Sequence, residues 1–255
     1  MAFDAFYLSA VLGEMEEKCL QARVEKIFQP SRDTVLLLLR GRESREKLLI
    51  AANPAAPRLH LTACSPENPA EPPMFCMVLR KHLSGARLSK ISQMPMERMA
   101  EFTFDCTDEM GYPVQKKLVA ELMGRTCNLY LLSPEGRILD CLRRVGLDES
   151  TRAALPGLQY RFSAPVEKEN PALLTAADFE RILHAPGADV LSDRLMDTLG
   201  GLSPLVCREA ALFAGGAVDV RVSALGQDTG EKLALFFGEH LQHPGESSPL
   251  DLQTN

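Results

Sequence analysis

The residues best suited to chemistry are charged groups at element ends, not a nucleophile with its base. Glu97 and Arg98 are neighbours in MPMERMAEF, and Arg125 closes the run ELMGR. A guanidinium forks onto a phosphate through two parallel N–H bonds. A carboxylate beside it can orient it, or accept from a base or a ribose hydroxyl. Without such a ligand, an adjacent acid–base pair is a solvated surface pair worth less than about 1 kcal/mol. Arg80, Lys81, Arg87 and Lys90 precede the pair. Residues 72–98 therefore hold five Lys/Arg against one Glu, a net of +4, in a chain whose net charge is −6. Such a basic island can hold a nucleic-acid backbone even on an acidic protein.

A second candidate is the glycine turn Gly200-Gly201-Leu202-Ser203, between two helical patterns. Its form resembles a helix-hairpin-helix, in which glycine lets backbone N–H groups approach a phosphate at a helix N-terminus. The charge opposes that use. Residues 173–255 carry twelve Asp/Glu and five Lys/Arg, a net of −7, and phosphate binding draws most of its affinity from basic residues. Packing or a protein contact fits this hairpin better; Gly200, Gly201 and Ser203 remain its candidate backbone contacts. Duplex DNA is not an expected partner.

Several catalytic classes drop out. The chain has no G-x-x-x-x-G-K-[ST] loop, no H-E-x-x-H pair and no G-x-S-x-G elbow, the signatures of phosphate loops, zinc proteases and α/β-hydrolases. The five histidines are dispersed. Seven cysteines are scattered without a C-x-x-C pair, in apolar surroundings, the pattern of reduced buried thiols in a cytosolic protein. No metal and no cofactor is expected. Met94, Met96 and Met99 read as gap fillers or a contact surface.

The elements that must position these groups come next. At 255 residues, 45% hydrophobic and 24% charged, the chain reads as a globular protein of one or two domains. No apolar run approaches the roughly 18–20 residues of a membrane span. The start carries Asp4 where a signal peptide needs basic residues, which reads as a cytoplasmic beginning. Asp4 can cap a helix whose face is Leu8, Val11, Leu12, Met15 and Cys19. Strands are expected over 23–29, 34–39, 47–51, 58–62, 86–91, 100–106, 115–123, 127–132 and 137–142, with a turn at 30–33 and a charged hairpin turn at 40–46. Pro72 and Pro73 suit the first turn of a helix with Met74, Phe75, Val78, Leu79 and His82 on its apolar face. Gly85 is placed to end it in a left-handed cap. That apolar face should anchor the helix to the sheet, with its basic end facing out. Beyond a linker at 164–171, helices are expected over 175–184, 190–199, 205–213 and 230–239, with Ser203 as an N-cap and Pro204 following it. The fold class is α+β, an antiparallel first domain at 1–170 followed by an all-α domain at 171–242 and a tail at 243–255.

The blocks MAFDAFYL, RVEKIFQP, ENPAEPPMFCMVLRKHLSGARL, ERMAEFTF, KKLVAELMGRTCNLYLL and GLSPLVCREA together resemble the N-terminal region of the NFACT family. That family includes the bacterial RqcH proteins, long called fibronectin-binding protein A, and eukaryotic NEMF. The resemblance implies an NFACT-N domain similar to the N-terminal domain of formamidopyrimidine-DNA glycosylases, then a helix-hairpin-helix domain. It implies binding to the large ribosomal subunit obstructed by peptidyl-tRNA and its nascent chain. It also implies recruitment of tRNA, alanyl-tRNA in bacteria, for untemplated C-terminal tailing. The Asp-Arg pair that tailing needs in the family matches Glu97 and Arg98, with Glu in place of Asp. The related glycosylases use an N-terminal proline followed by a glutamate; here the chain reads Ala2-Phe3, so glycosylase chemistry is not expected. Family members continue into a coiled coil, so a stop at Asn255 implies a fragment. The older family name supplies the alternative, a fibronectin-binding adhesin.

Overall fold

The computed structural model describes residues 3–42, 44–146, 152–162 and 168–242, without the side chains of Arg125 and of residues 239–242. The expected tail at 243–255 lies outside the described residues. The chain divides into two compact units, one formed by Met1 and Val11–Ala164, the other by Ala2–Ala10 and Pro165–Asn255.

The first unit is built on one antiparallel sheet of nine strands: β1 (Arg23–Ser31), β2 (Thr34–Arg40), β3 (Arg45–Ala51), β4 (Arg58–Leu61), β5 (Arg87–Gln93), β6 (Met99–Thr107), β7 (Pro113–Glu121), β8 (Asn128–Leu132) and β9 (Ile138–Cys141). Their order is β4-β3-β2-β1-β5-β6-β7-β8-β9. The sheet is thus two meanders joined where β1 meets β5. Every other connection is a hairpin, which an antiparallel neighbour permits. β1 runs on through Pro30 to Ser31, past the turn expected at 30–33. The ladder absorbs the proline through a register shift between Phe28 and Ser31, a position that spares the missing N–H.

Helix α2 (Met74–Leu83) packs against β1, β6 and β9. Pro72 and Pro73 lie before it and not in its first turn; Pro73 is the extended N-cap (φ −61°, ψ 156°). Its buried residues are Phe75, Cys76, Leu79 and Leu83, whereas Met74 is 68% exposed. The expected face is therefore rotated toward Cys76 and Leu83. Gly85 ends the helix in the left-handed conformation (φ 74°), as its position implies.

Helix α1 (Ala5–Cys19) begins in the second unit and ends in the first. Asp4 caps it, its Oδ1 accepting from the Tyr7 N–H at 2.9 Å. Leu8, Val11, Leu12, Met15 and Cys19 are all buried, the i, i+3, i+4, i+7 stripe of an amphipathic helix.

The second unit contains α3 (Ala176–His184), α4 (Leu191–Thr198), α5 (Pro204–Gly215) and α6 (Thr229–Gln242). A capping box joins Thr175 to Asp178, and Ser203 caps α5 with Pro204 behind it. The core gathers Phe179, Leu183, Leu191, Leu195, Leu233 and Phe237. Phe179 and Phe237 stack with ring centroids 5.5 Å apart. Among the described residues, no helix is long and apolar enough to cross a membrane.

Candidate nucleic-acid interface

Glu97 and Arg98 lie in the turn that joins β5 to β6. The Glu97 N–H donates to the Met94 carbonyl at 3.1 Å, closing a tight turn with Pro95 and Met96 at its centre. Met96 is left-handed (φ 62°), where a type II turn usually carries glycine. A side chain there costs on the order of 1–3 kcal/mol and persists only when its surroundings hold it. They do. Met94 N–H donates to the Met99 carbonyl at 3.1 Å, Gln93 Nε2 to the Glu97 carbonyl at 3.0 Å, and Leu122 N–H to the Arg98 carbonyl at 2.8 Å. Both side chains of the pair are half-buried. Burial raises the Glu97 carboxyl above its ordinary 4.5, against the pull of Arg98 in the opposite direction.

The support beneath this turn is a buried ion pair that the sequence did not advertise. Glu121 ends β7 directly opposite Met99 in the ladder and is 0% exposed. Arg152 grips it with two N–H groups, Nη1 to Oε2 at 2.8 Å and Nη2 to Oε1, and the Tyr160 hydroxyl donates to Oε1 at 2.5 Å. The guanidinium lies 5.7 Å from the Tyr130 ring centroid and 5.4 Å from that of Tyr160. Burial, with the Glu121 charge second, pushes Tyr130 up to about 12 and Tyr160 further in the same direction. Burial alone would lower Arg152, but its bond to Glu121 and that charge raise it overall. Met94, Met99, Tyr130 and Tyr160 share one apolar cluster, so Met94 and Met99 are packed and not a contact surface, while Met96 stands outside that cluster at the turn. Glu121 stands in the ELMGR block, but nothing in the loop around Arg152 marks it as the partner.

The rest of the basic island is dispersed. Arg80 does not face out as expected: its Nε donates to the Ile27 carbonyl at 2.8 Å and its guanidinium lies 5.8 Å from the Phe28 ring centroid. It ties α2 to β1. Lys81 pairs with Glu109 at 2.9 Å, both well exposed. Arg87 and Lys90 are exposed along β5, opposite Asp105 and Thr103 of β6. Arg125 belongs to a single 3₁₀ turn, Gly124–Thr126, just past β7.

The glycine turn between α4 and α5 is already engaged. Gly200 N–H donates to the Glu169 carbonyl at 3.0 Å, and the Gly201 carbonyl accepts from Ala5 N–H at 2.9 Å. Ser203 Oγ donates to Asp4 Oδ2 at 3.2 Å while accepting from Val206 N–H. An aspartate thus sits where a phosphate would be expected. Of the basic residues in this unit, Arg181 pairs with Glu169 and Asp178, Arg221 with Asp189, and Lys232 with Asp228. Arg194 is buried against carbonyls. Among the described residues, no group of three or more His, Cys, Asp or Glu is arranged to hold a metal ion.

Comparison with known proteins fits this geometry to a family. The model of the NFACT N-terminal and middle domains matches residues 4–250. The Rqc2 homolog RqcH of Bacillus subtilis is 35% identical over 218 residues, 84% of this chain and 38% of that protein. Human ribosome quality control complex subunit NEMF is 27% identical over 86% of this chain and 19% of its own length. The chain therefore spans well under half the length of these relatives. Among solved structures, the N-terminal part of the fibronectin/fibrinogen-binding protein from Streptococcus suis superposes with a TM-score of 0.78 at 28% identity, covering 92% of this chain and 84% of that one. The N-terminal domain of fibronectin-binding protein PavA from Streptococcus pneumoniae gives 0.74 at 31%, covering 82% of each chain. The nine-stranded antiparallel sheet, the helical second unit and a match from residue 4 to residue 250 make this chain a member of the NFACT family, in its N-terminal region.

Proposed function

We propose that the chain is the RNA-holding N-terminal part of a ribosome quality control factor. In this reading it binds the obstructed large ribosomal subunit with its peptidyl-tRNA and recruits tRNA, alanyl-tRNA in a bacterium, for untemplated tailing of the stalled peptide. It acts in the cytoplasm and makes and breaks no bonds itself. The observation that carries the reading is the 35% identity to RqcH over 84% of the chain. The Glu97-Arg98 turn supplies the physical side: an acid and a guanidinium on a turn held by three backbone–backbone hydrogen bonds and one from the Gln93 side chain, and braced by Glu121 and Arg152. A rigid mount lets an arginine meet a phosphate with little ordering cost. Glu97 orients that arginine or accepts from a ribose hydroxyl. Arg125, one 3₁₀ turn past β7, is a further phosphate ligand. We read the second unit as a helix-hairpin-helix domain used for packing or protein contact, because its glycine turn is engaged by Glu169, Ala5 and Asp4 and because Arg181, Arg221 and Lys232 are paired with its own acids. The first unit is read as related to the glycosylase N-terminal fold without that chemistry.

The test is to sequence the RNA that co-purifies with the full-length protein from its own cell. Enrichment of tRNA with large-subunit ribosomal RNA supports the reading; RNA no different from bulk contradicts it. A second reading, binding of fibronectin, is favoured by the names of the solved neighbours. It requires the protein outside the cell, so fractionation separates the two.

A further inference from the structure

Four arginines stand side by side across four adjacent strands. Arg87 of β5 is the ladder partner of Arg23 in β1. Arg23 is the partner of Arg40 in β2, and Arg40 of Arg45 in β3. Residues directly opposite one another share a face of the sheet, so register alone puts all four guanidinium groups on one side. Neighbouring strands are about 4.8 Å apart, giving a row about 14 Å long. Arg42, in the β2–β3 turn, adds a fifth. All five are exposed. Arg23, Arg40, Arg42 and Arg87 line an open groove of about 850 Å³, together with Lys18 of α1 and Gln21 just past its end.

Like charges directly opposite destabilise a sheet, so a bare structural role would not select such a row. Acids accompany it: Glu43 and Glu46 alternate with Arg42 and Arg45 in the sequence. Glu25 reaches Arg45 Nε at 3.6 Å, Glu17 lines the groove, and Asp105 faces Arg87 from β6. Arg23 and Arg87 are steadied by the Gly85 carbonyl (3.0 Å) and Gln21 Oε1 (3.4 Å). Arg40 and Arg42 form no ion pair with any described residue.

We propose that this row is a second RNA-backbone contact, separate from the Glu97-Arg98 turn and at the opposite end of β5. Six residue steps of about 3.3 Å put the two ends of that strand about 20 Å apart. Planar guanidiniums at regular spacing suit consecutive phosphates along a strand, and such contacts are independent of sequence. The inference rests on the RNA-binding reading above.

The test measures binding of the whole chain to a tRNA transcript and to a 20-nucleotide single-stranded RNA over a salt series. The parent is compared with R40Q/R42Q/R45Q, with the charge-keeping R40K/R42K/R45K, and with R98A. The glutamine triple variant should lose at least tenfold in affinity near 0.1 M salt. Its log–log salt slope should fall by about 2, at roughly 0.7 per lost single-strand contact. The lysine triple variant should keep most of the slope, and the glutamine variant's melting temperature should be equal or higher, since repulsion is relieved. If it fails to fold, R42Q in the exposed turn is used and a slope change of about 0.7 is read. Unchanged affinity and slope in a folded variant, while R98A loses binding, overturns this inference alone. A parent that binds neither RNA overturns both proposals. Binding to phosphatidylserine vesicles in place of RNA would reassign the row to a lipid surface and overturn it too.

Discussion

Glu97 is held partly out of water beside an arginine, on a turn whose Met96 adopts a conformation that glycine prefers. The raised carboxyl pKa means that the folded state favours the protonated acid. Stability from this group is therefore present below about pH 4.5 and is lost as pH rises through the raised value. Glu97→Gln removes that dependence. The variant should melt higher than the parent at pH 7 and no higher at pH 4, as read by thermal denaturation. Equal differences at both pH values would contradict the assignment. Arg152 makes the opposite case. Removing one partner of a buried pair leaves the other charge uncompensated, at a cost of about 3–5 kcal/mol. Arg152→Met should lower the melting temperature by roughly 6–20 °C, at about 2–4 °C per kcal/mol for a domain of this size. Adding Glu121→Leu should restore part of the loss, because the orphaned carboxylate goes with it. Neither partner was legible from local pattern: 31 residues separate them, and the pairing exists only once β7 and the 152–162 segment meet.

At the scale of elements, legibility followed locality. The α1 stripe, the Ser203 cap and the left-handed Gly85 that ends α2 (φ 74°) are set by neighbours in sequence and were read from it. The rotated face of α2 was not: Met74 is at the right spacing but points to solvent, because β1, β6 and β9 take up the side with Cys76 and Leu83. The arginine row was hidden for a related reason. Arg23, Arg40, Arg45 and Arg87 become neighbours only through strand register, which a single sequence does not display. In the second unit Arg194 ends α3 from outside it. Its Nη1 donates to the carbonyls of Ile182 (3.0 Å) and Leu183 (3.2 Å), and its Nε to Ala188 (2.9 Å), serving carbonyls that a helix C-terminus leaves unpaired. Gly187 lies where a Cβ would come within 2.8 Å of that Nε. Arg194→Met should cost about 2–4 kcal/mol through buried unpaired carbonyls. Faster hydrogen exchange in α3 and α4, with the β-sheet amides unchanged, would report it.

At the scale of the whole molecule, charge is divided unevenly. Residues 173–255 net −7 in a chain of −6, so residues 1–172 carry +1. What RNA affinity the chain has must come from local basic surfaces of the first unit, and its salt dependence should reflect few phosphate contacts. The Glu97-Arg98 turn is one such surface, mounted between β5 and β6. The most direct measurement is the affinity of Glu97→Ala/Arg98→Ala for tRNA at matched salt, with the melting temperature recorded alongside. Loss of a charged hydrogen-bonding group is worth about 1.5–3 kcal/mol. The account therefore predicts a tenfold to hundredfold weaker complex and a melting temperature within a few degrees of the parent. Equal affinity in parent and variant would contradict it.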